Sequence, residues 1–303
     1  MTALIAVIAG WLAQAPVAPP ADTEIYLAPL SVVAGALTVG TPVNITNSPG
    51  YDNQPSFTPD GGAILFTSDR GSPASVPTLF RTDIYRYDIA SRAVSRVTDT
   101  PEGEFSPTVT PDGRHISVIR VEADSTQRLW RVTLDGKQAE LVLRDMKPVG
   151  YHAWADARAL VLFVLGQPAT LQIADPRTGT AEIVARGVGR SIQRIPGGRT
   201  VSFVEREPAS QQGGAPTLWI RELDPRTKRI TPLVRAVAGA TEADCAWTPR
   251  GMLLMAHGGA LYGWRRGDPD WTRVADLDAL GLKSVTRLAV SPKGDWIALV
   301  AQK

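Results

Sequence analysis

Cysteine is nearly absent from this chain. Cys245 stands alone among 303 residues, so no intramolecular disulfide can form and no pair of thiols is available for zinc. Histidine is scarce as well: His115, His152 and His257 lie far apart, and no H-E-x-x-H brings two of them together. Charge of one sign is lacking. The chain carries 32 basic and 30 acidic residues, and a formal net charge of +2 gives no overall footprint for nucleic acid or an anionic membrane. Its cations are mostly arginine and are scattered rather than clustered. There is no G-x-S-x-G nucleophile elbow, no phosphate-binding G-x-x-x-x-G-K-S/T, and no G-x-G-x-x-G at a strand-to-helix junction. The common hydrolase, nucleotide and dinucleotide signatures are therefore excluded.

Long apolar runs are missing too. The longest, residues 3–13, has 11 uncharged residues, the length of a signal-peptide core and too short to span a bilayer. Ala13-Gln14-Ala15 offers a small-x-small cleavage site, and a Pro/Ala stretch follows. Against this, no Lys or Arg precedes the run, and cleavage after Ala15 would leave Pro16 first. Residues 1–21 are read as a signal peptide and linker, with a misassigned start or an uncleaved anchor as the alternatives. No cysteine follows the run, which rules out a lipoprotein anchor.

What the sequence does contain is repetition. "FTPDGGAILF" at 57–66 returns as "VTPDGRHISV" at 109–118, and weaker copies begin at 154, 194, 247 and 290. The place of Pro59 recurs at Pro111, Asp156, Pro196, Pro249 and Pro292, in steps of 52, 45, 40, 53 and 43 residues. Thr-Pro-Asp-Gly has type I turn chemistry, with proline presetting φ, and the apolar residues around it alternate as in a hairpin. Each hairpin is followed by an alternating third run such as "DIYRYDI" or "TLWIREL", a turn spelled "DPRT" in two copies, and a fourth strand. Four short strands per unit at this period predict an all-β, six-bladed β-propeller of antiparallel blades. The sixth copy stops after two strands. "ITNSPGYDNQPSFTPDG" at 45–61 aligns without a gap to "VTDTPEGEFSPTVTPDG" at 97–113, with 7 identities in 17 positions. Residues 41–47 therefore take an outer-strand slot, and residues 23–30 the third strand before it. The N-terminal strands are expected to complete the sixth blade, making 22–303 one domain with no free sheet edge.

The stretch "SFTPDGGAILFTSDRG…TDIYRYDI…RVTD" resembles the WD40-like repeat of TolB-like propellers. The resemblance implies a non-catalytic propeller of the cell envelope, periplasmic or secreted, that receives a protein or peptide segment at its channel mouth. With barely 22 residues before the first strand, the chain is expected to lack the separate N-terminal α/β domain of TolB.

The residues themselves put the TPDG turns on one face as fold signatures. The opposite face, where chain enters the inner strands around the channel, is the place for function. Alignment sets Gln54, Ser106, Tyr151, Ser191, Asp244 and Arg287 in one slot, with Asp52, Glu104 and Glu242 two residues earlier, and Asn53, Phe105 and Arg190 between. The candidate binding set is Asp52, Asn53, Gln54, Glu104, Tyr151, Arg190, Glu242, Asp244 and Arg287. Its four carboxylates, if convergent, suit Ca²⁺, and its two guanidiniums suit a partner's carboxylate; a solvated rim of compensating charge is the plain alternative. Two long connections, 71–81 and 207–216, open on this face in opposite blades, with Leu79 and Phe80 as apolar contacts. The tryptophans read as packing between blades rather than as a sugar platform. A metal-dependent hydrolase or lyase is the competing function; it would need these carboxylates, or distant His152, as ligands. No cofactor, nucleic-acid partner or stable membrane span is expected.

Overall fold

A computed structural model describes residues 22–72, 81–208 and 216–303. The proposed signal segment and the tips of the two long connections, Leu79 and Phe80 included, lie outside the described residues. All regular structure is β, in six antiparallel sheets arranged as a propeller ring. The innermost strands are Asp52–Phe57, Gly103–Val109, Val149–Asp156, Val188–Arg194, Cys245–Trp247 and Lys283–Val290, for blades 1 to 6 in chain order.

Burial follows distance from solvent. Second strands such as Ala63–Ser68 are buried at every position, because each is covered by a blade on both sides, and apolar residues dominate them. Outer strands such as Val94–Arg96 are exposed throughout. The core is a set of layers between blades. Ile25 and Val300 of blade 6 meet Ile64, Phe66 and Tyr85 of blade 1, and Leu65 and Ile84 of blade 1 meet Ile116, Val118 and Val132 of blade 2. Each such side chain contributes about 1.5–3 kcal/mol of burial, so ring integrity is spread over six similar seams.

The ring closes as the repeat requires. Thr23–Val33 pairs antiparallel with the last strand, Trp296–Gln302, from Thr23↔Gln302 to Pro29↔Trp296. The outer slot differs in detail: it is shared by Val43–Asn44 and by Ala36–Val39, the latter forming a hairpin that continues beyond the blade. Hydrogen bonds show how closely this seam copies a normal one. Thr23 Oγ1 donates to the Asp52 carbonyl at 3.1 Å and Thr82 Oγ1 to the Glu104 carbonyl at 2.8 Å. The amide of Ile25 donates to Thr46 Oγ1 at 3.0 Å, and that of Ile84 to Thr98 Oγ1 at 2.9 Å.

The TPDG turns are self-contained. Gly61 N donates to the Thr58 carbonyl at 2.8 Å, while Thr58 Oγ1 and Gly62 N both donate to Asp60 Oδ1, at 2.6 and 3.0 Å. Thr110, Asp112, Gly113 and Arg114 repeat the arrangement. These bonds hold the carboxyl of Asp60 below its usual range, the threonine hydroxyl being the largest cause. The tryptophans are packing residues as expected. Trp154 and Trp247 each donate, at 2.9 Å, to a serine of the preceding blade's second strand, Ser117 and Ser202.

Candidate functional site

The inner strands run from the mouth towards the TPDG face, and five of the six are irregular, that of blade 5 being the exception. Register shifts interrupt the ladder between Asn53 and Ser56, Phe105 and Thr108, Val188 and Ile192, and Lys283 and Arg287. Gln54 and Ser106 occupy the same slot with φ of 57° and 54°, a left-handed conformation costing non-glycine residues about 1–2 kcal/mol. The irregularity breaks the two-residue alternation of the strand and turns the slot inward. Gln54, Ser106, Tyr151, Ser191, Asp244 and Arg287 all line one channel void of about 590 Å³, together with Arg190.

Four residues contributed by four blades meet across this void. Arg287 Nη2 donates to the Tyr151 hydroxyl at 2.7 Å, and its guanidinium carbon lies 5.0 Å from the Tyr151 ring centre. Blades 3 and 6 face each other in a ring of six, so this bond crosses the channel from wall to wall. Asp244 accepts from Arg190 Nη2 at 2.9 Å and lies 4.0 Å from Arg287 Nη1. Burial alone works against the charge of Arg287, but Asp244 and the oxygens of Tyr151 and Tyr51 outweigh it and hold the pKa above the ordinary guanidinium value. The cluster contains two cations and one anion, so it carries one surplus positive charge at the floor of the mouth.

Tyr51 is a fifth member that the repeat did not reveal, because the aligned residue in blade 2 is Gly103. Burial pushes its phenol up to about 12, against the pull of Arg287 and Arg190 and with Tyr151 and Asp244 adding to the rise. The residue is delivered by the turn before it. Gly50 has φ of 103°, and a Cβ there would lie 2.3 Å from Asp69 Oδ1. That same oxygen accepts the Tyr51 amide at 2.8 Å. The Ser-Asp-Arg element after the second strand thus sets the mouth from below.

Several candidate residues do other work. Asp52 is 1% exposed and paired with Arg70 at 2.8 Å; Glu104 is fully buried and paired with Arg120 at 2.6 Å. Neither faces the channel, and this corrects the placement of four carboxylates around it. The reason is local. Glu104 stands directly opposite Arg120 in the ladder, and Asp52 opposite Ser68, two residues before Arg70. Each carboxylate is turned into its own blade. Burial raises both pKa values, and the guanidiniums and neighbouring hydroxyls oppose that rise. Asn53 and Gln54 brace the junction between blades: Asn53 Oδ1 accepts the Gln54 amide, and Gln54 Oε1 accepts the Ser106 amide and the Thr67 hydroxyl at 2.8 and 2.9 Å. Glu242 is exposed, pairs with Arg206 at 2.7 Å, and lines a second hollow of about 800 Å³ with His257, Asp278 and Lys283. His152 is buried, its Nε2 lies 2.7 Å from Ser117 Oγ, and desolvation lowers its pKa to about 4. The carboxylates proposed for Ca²⁺ therefore do not converge: two are withdrawn into blades, and Asp244 is flanked by arginines. Among the described residues no group of three or more His, Cys, Asp and Glu side chains is placed to hold a metal ion.

No protein-family model matches the chain. A 40-residue stretch is 50% identical to the Tol-Pal system protein TolB of Bordetella pertussis, covering 13% of this chain and 8% of that relative's length. In three dimensions the chain resembles a putative TolB from Agrobacterium tumefaciens, with TM-score 0.66 and 15% identity over 94% of this chain and 99% of the other. TolB from Acinetobacter baumannii gives TM-score 0.57 and 14% identity over 94% of this chain and 66% of that one. An oligogalacturonate lyase in complex with manganese gives TM-score 0.58 and 14% identity over 86% and 80%. The chain has the TolB-like six-bladed propeller fold, and that fold is also found in an enzyme.

Proposed function

We propose that the protein is an exported, non-catalytic propeller that binds a protein or peptide segment of the cell envelope at its channel mouth. The observation that carries this reading is the floor made by Tyr51, Tyr151, Arg190, Asp244 and Arg287. It spans the channel near the mouth and carries one uncompensated positive charge, suited to the carboxylate of an inserted segment. The likeness to TolB proteins supports an envelope role, and the apolar run at 3–13 supports export. A hydrolase or lyase using channel carboxylates is the weaker reading, since two of the carboxylates it needs are spent in ion pairs inside blades.

Affinity capture from an envelope extract tests the proposal, comparing the wild type with Asp244→Ala/Arg287→Ala and assaying metal on the same samples. A protein retained by the wild type and lost by the variant supports binding at the mouth. Equal capture by both moves the partner elsewhere, and bound metal without any partner returns the enzyme reading.

A further inference from the structure

The near-neutral balance of the chain conceals a separation of charge between the two faces of the ring. On the mouth face, the connections between strands carry ten carboxylates against five cations, counting Asp22 and Lys303. The turn face is opposite in sign, and unevenly so. In blades 6, 1 and 2 its connections carry four basic and four acidic side chains. In blades 3, 4 and 5 they carry eight basic side chains against four aspartates. Arg158 and Arg177 come from blade 3, Arg199, Arg226, Lys228 and Arg229 from blade 4, and Arg250 and Arg266 from blade 5. All eight are exposed.

Half of these cations are engaged locally: Arg177 with Asp175, Arg199 with Asp156, Lys228 with Glu182 and Arg266 with Glu222. Arg158, Arg226, Arg229 and Arg250 make no ion pair among the described residues. The turn aspartates Asp175 and Asp224 are tied to the backbone amides of Arg177 and Arg226, at 2.9 Å each. They shape the turns, and Asp175 also holds the Arg177 guanidinium while Arg226 stays exposed without an ion pair among the described residues.

A second feature lies on the same face. The strand Thr23–Val33 runs past the end of its own blade, and four residue pairs from Leu30↔Val39 to Val33↔Ala36 form a projecting hairpin. At about 3.3 Å per residue its four pairs make roughly 13 Å of strand. Leu37 and Val39 fold against the layer between blades 5 and 6, which places the hairpin beside the basic half of the ring. Residues 31–36, "SVVAGA", carry no charge, and Val32 and Val33 are 47% and 59% exposed.

We infer that the turn face of blades 3–5, with the hairpin at its edge, docks on an anionic lipid bilayer. Dispersed, exposed cations on one face meet a plane of phosphates, and an uncharged apolar loop beside them enters the headgroup layer. Single-stranded nucleic acid is a poorer fit, because none of the exposed large apolar side chains among the described residues is an aromatic on which a base could stack. Docking by this face would leave the mouth turned away from the membrane and open to a partner.

Co-sedimentation of the full chain with phosphatidylcholine vesicles, and with vesicles enriched in phosphatidylglycerol, tests the inference. Residues 1–21 are the same in every variant, so any binding through them appears equally on neutral vesicles. The wild type should bind the anionic vesicles at low salt and be released at high salt. Arg226→Glu/Arg229→Glu should lower partitioning about tenfold or more, and Val33→Asp several-fold. Arg114→Glu/Lys137→Glu, on the balanced blade 2, should change it less than about twofold by the same rule. Equal binding to both vesicle types, a blade 4 variant that binds like the wild type, or equal losses from blades 2 and 4 would each overturn the inference. So would tighter retention by single-stranded DNA than by the anionic vesicles.

Discussion

The seams between blades and the floor of the mouth are built from the same repeat, yet they treat charge and variation in opposite ways. At the 6–1 and 1–2 seams the same threonines make the same bonds, Thr23 and Thr82 to a carbonyl, Thr46 and Thr98 to an amide. At the mouth, the six equivalent positions hold six side chains of five kinds. Inside blade 2, the Glu104–Arg120 pair keeps its carboxylate wholly away from solvent. At the mouth, Asp244 and Arg287 keep 13% and 14% of their side-chain surface. Repetition maintains the frame, and one unconstrained slot per blade supplies the chemistry.

That contrast has measurable consequences. Arg120→Ala strands a fully buried carboxylate and should cost about 3–5 kcal/mol in chemical denaturation. Arg287→Ala leaves Asp244 paired with Arg190, loses the bond to the Tyr151 hydroxyl, and should cost less, about 1.5–3 kcal/mol, while abolishing partner capture. Equal costs would mean that the floor is as structural as the seams.

Acid should act through the wall between seam and mouth. His152 has a folded pKa near 4 against an ordinary value near 6.5. Below the ordinary value the unfolded chain takes up a proton that the fold refuses. Stability therefore falls as pH drops from about 6.5 to about 4, by about 3 kcal/mol in all. His152→Gln should flatten this part of the stability–pH curve; an unchanged slope would assign the acid sensitivity elsewhere.

The smallest effects test whether the closing seam is equivalent to the others. Thr23→Val and Thr82→Val each remove one hydroxyl donor to a buried carbonyl and should each cost about 1 kcal/mol. A negligible effect of Thr23→Val beside a full effect of Thr82→Val would show that closure by the chain ends is looser than the ordinary joins.

Blade number, strand order and ring closure were legible because a propeller writes its turn chemistry once per blade, and the alignment of 45–61 with 97–113 carried that register across the chain ends. The height of each channel residue was legible for the same reason. Direction was not. A regular strand places Asp52 and Gln54 on one face, and the left-handed residue at Gln54 separates them, so Asp52 could be assigned to the mouth although it points into the blade. Tyr51 gave no signal because the gap-free alignment of 45–61 with 97–113 pairs it with Gly103, which has no side chain to compare. The sorting of charge was open to inspection in the connections, but a whole-chain balance averages the two faces to almost nothing.

Closure has one more consequence, which concerns time rather than shape. The partner of Thr23–Val33 is Trp296–Gln302, so one of the first strands made must wait for the last. Blades 1 to 5 have their own four strands and are complete as they emerge. The sixth remains two separate halves until Trp296–Gln302 has been made. The ring can thus close only once that strand exists, and a chain interrupted before it is an open arc with unpaired edges that quality control can read.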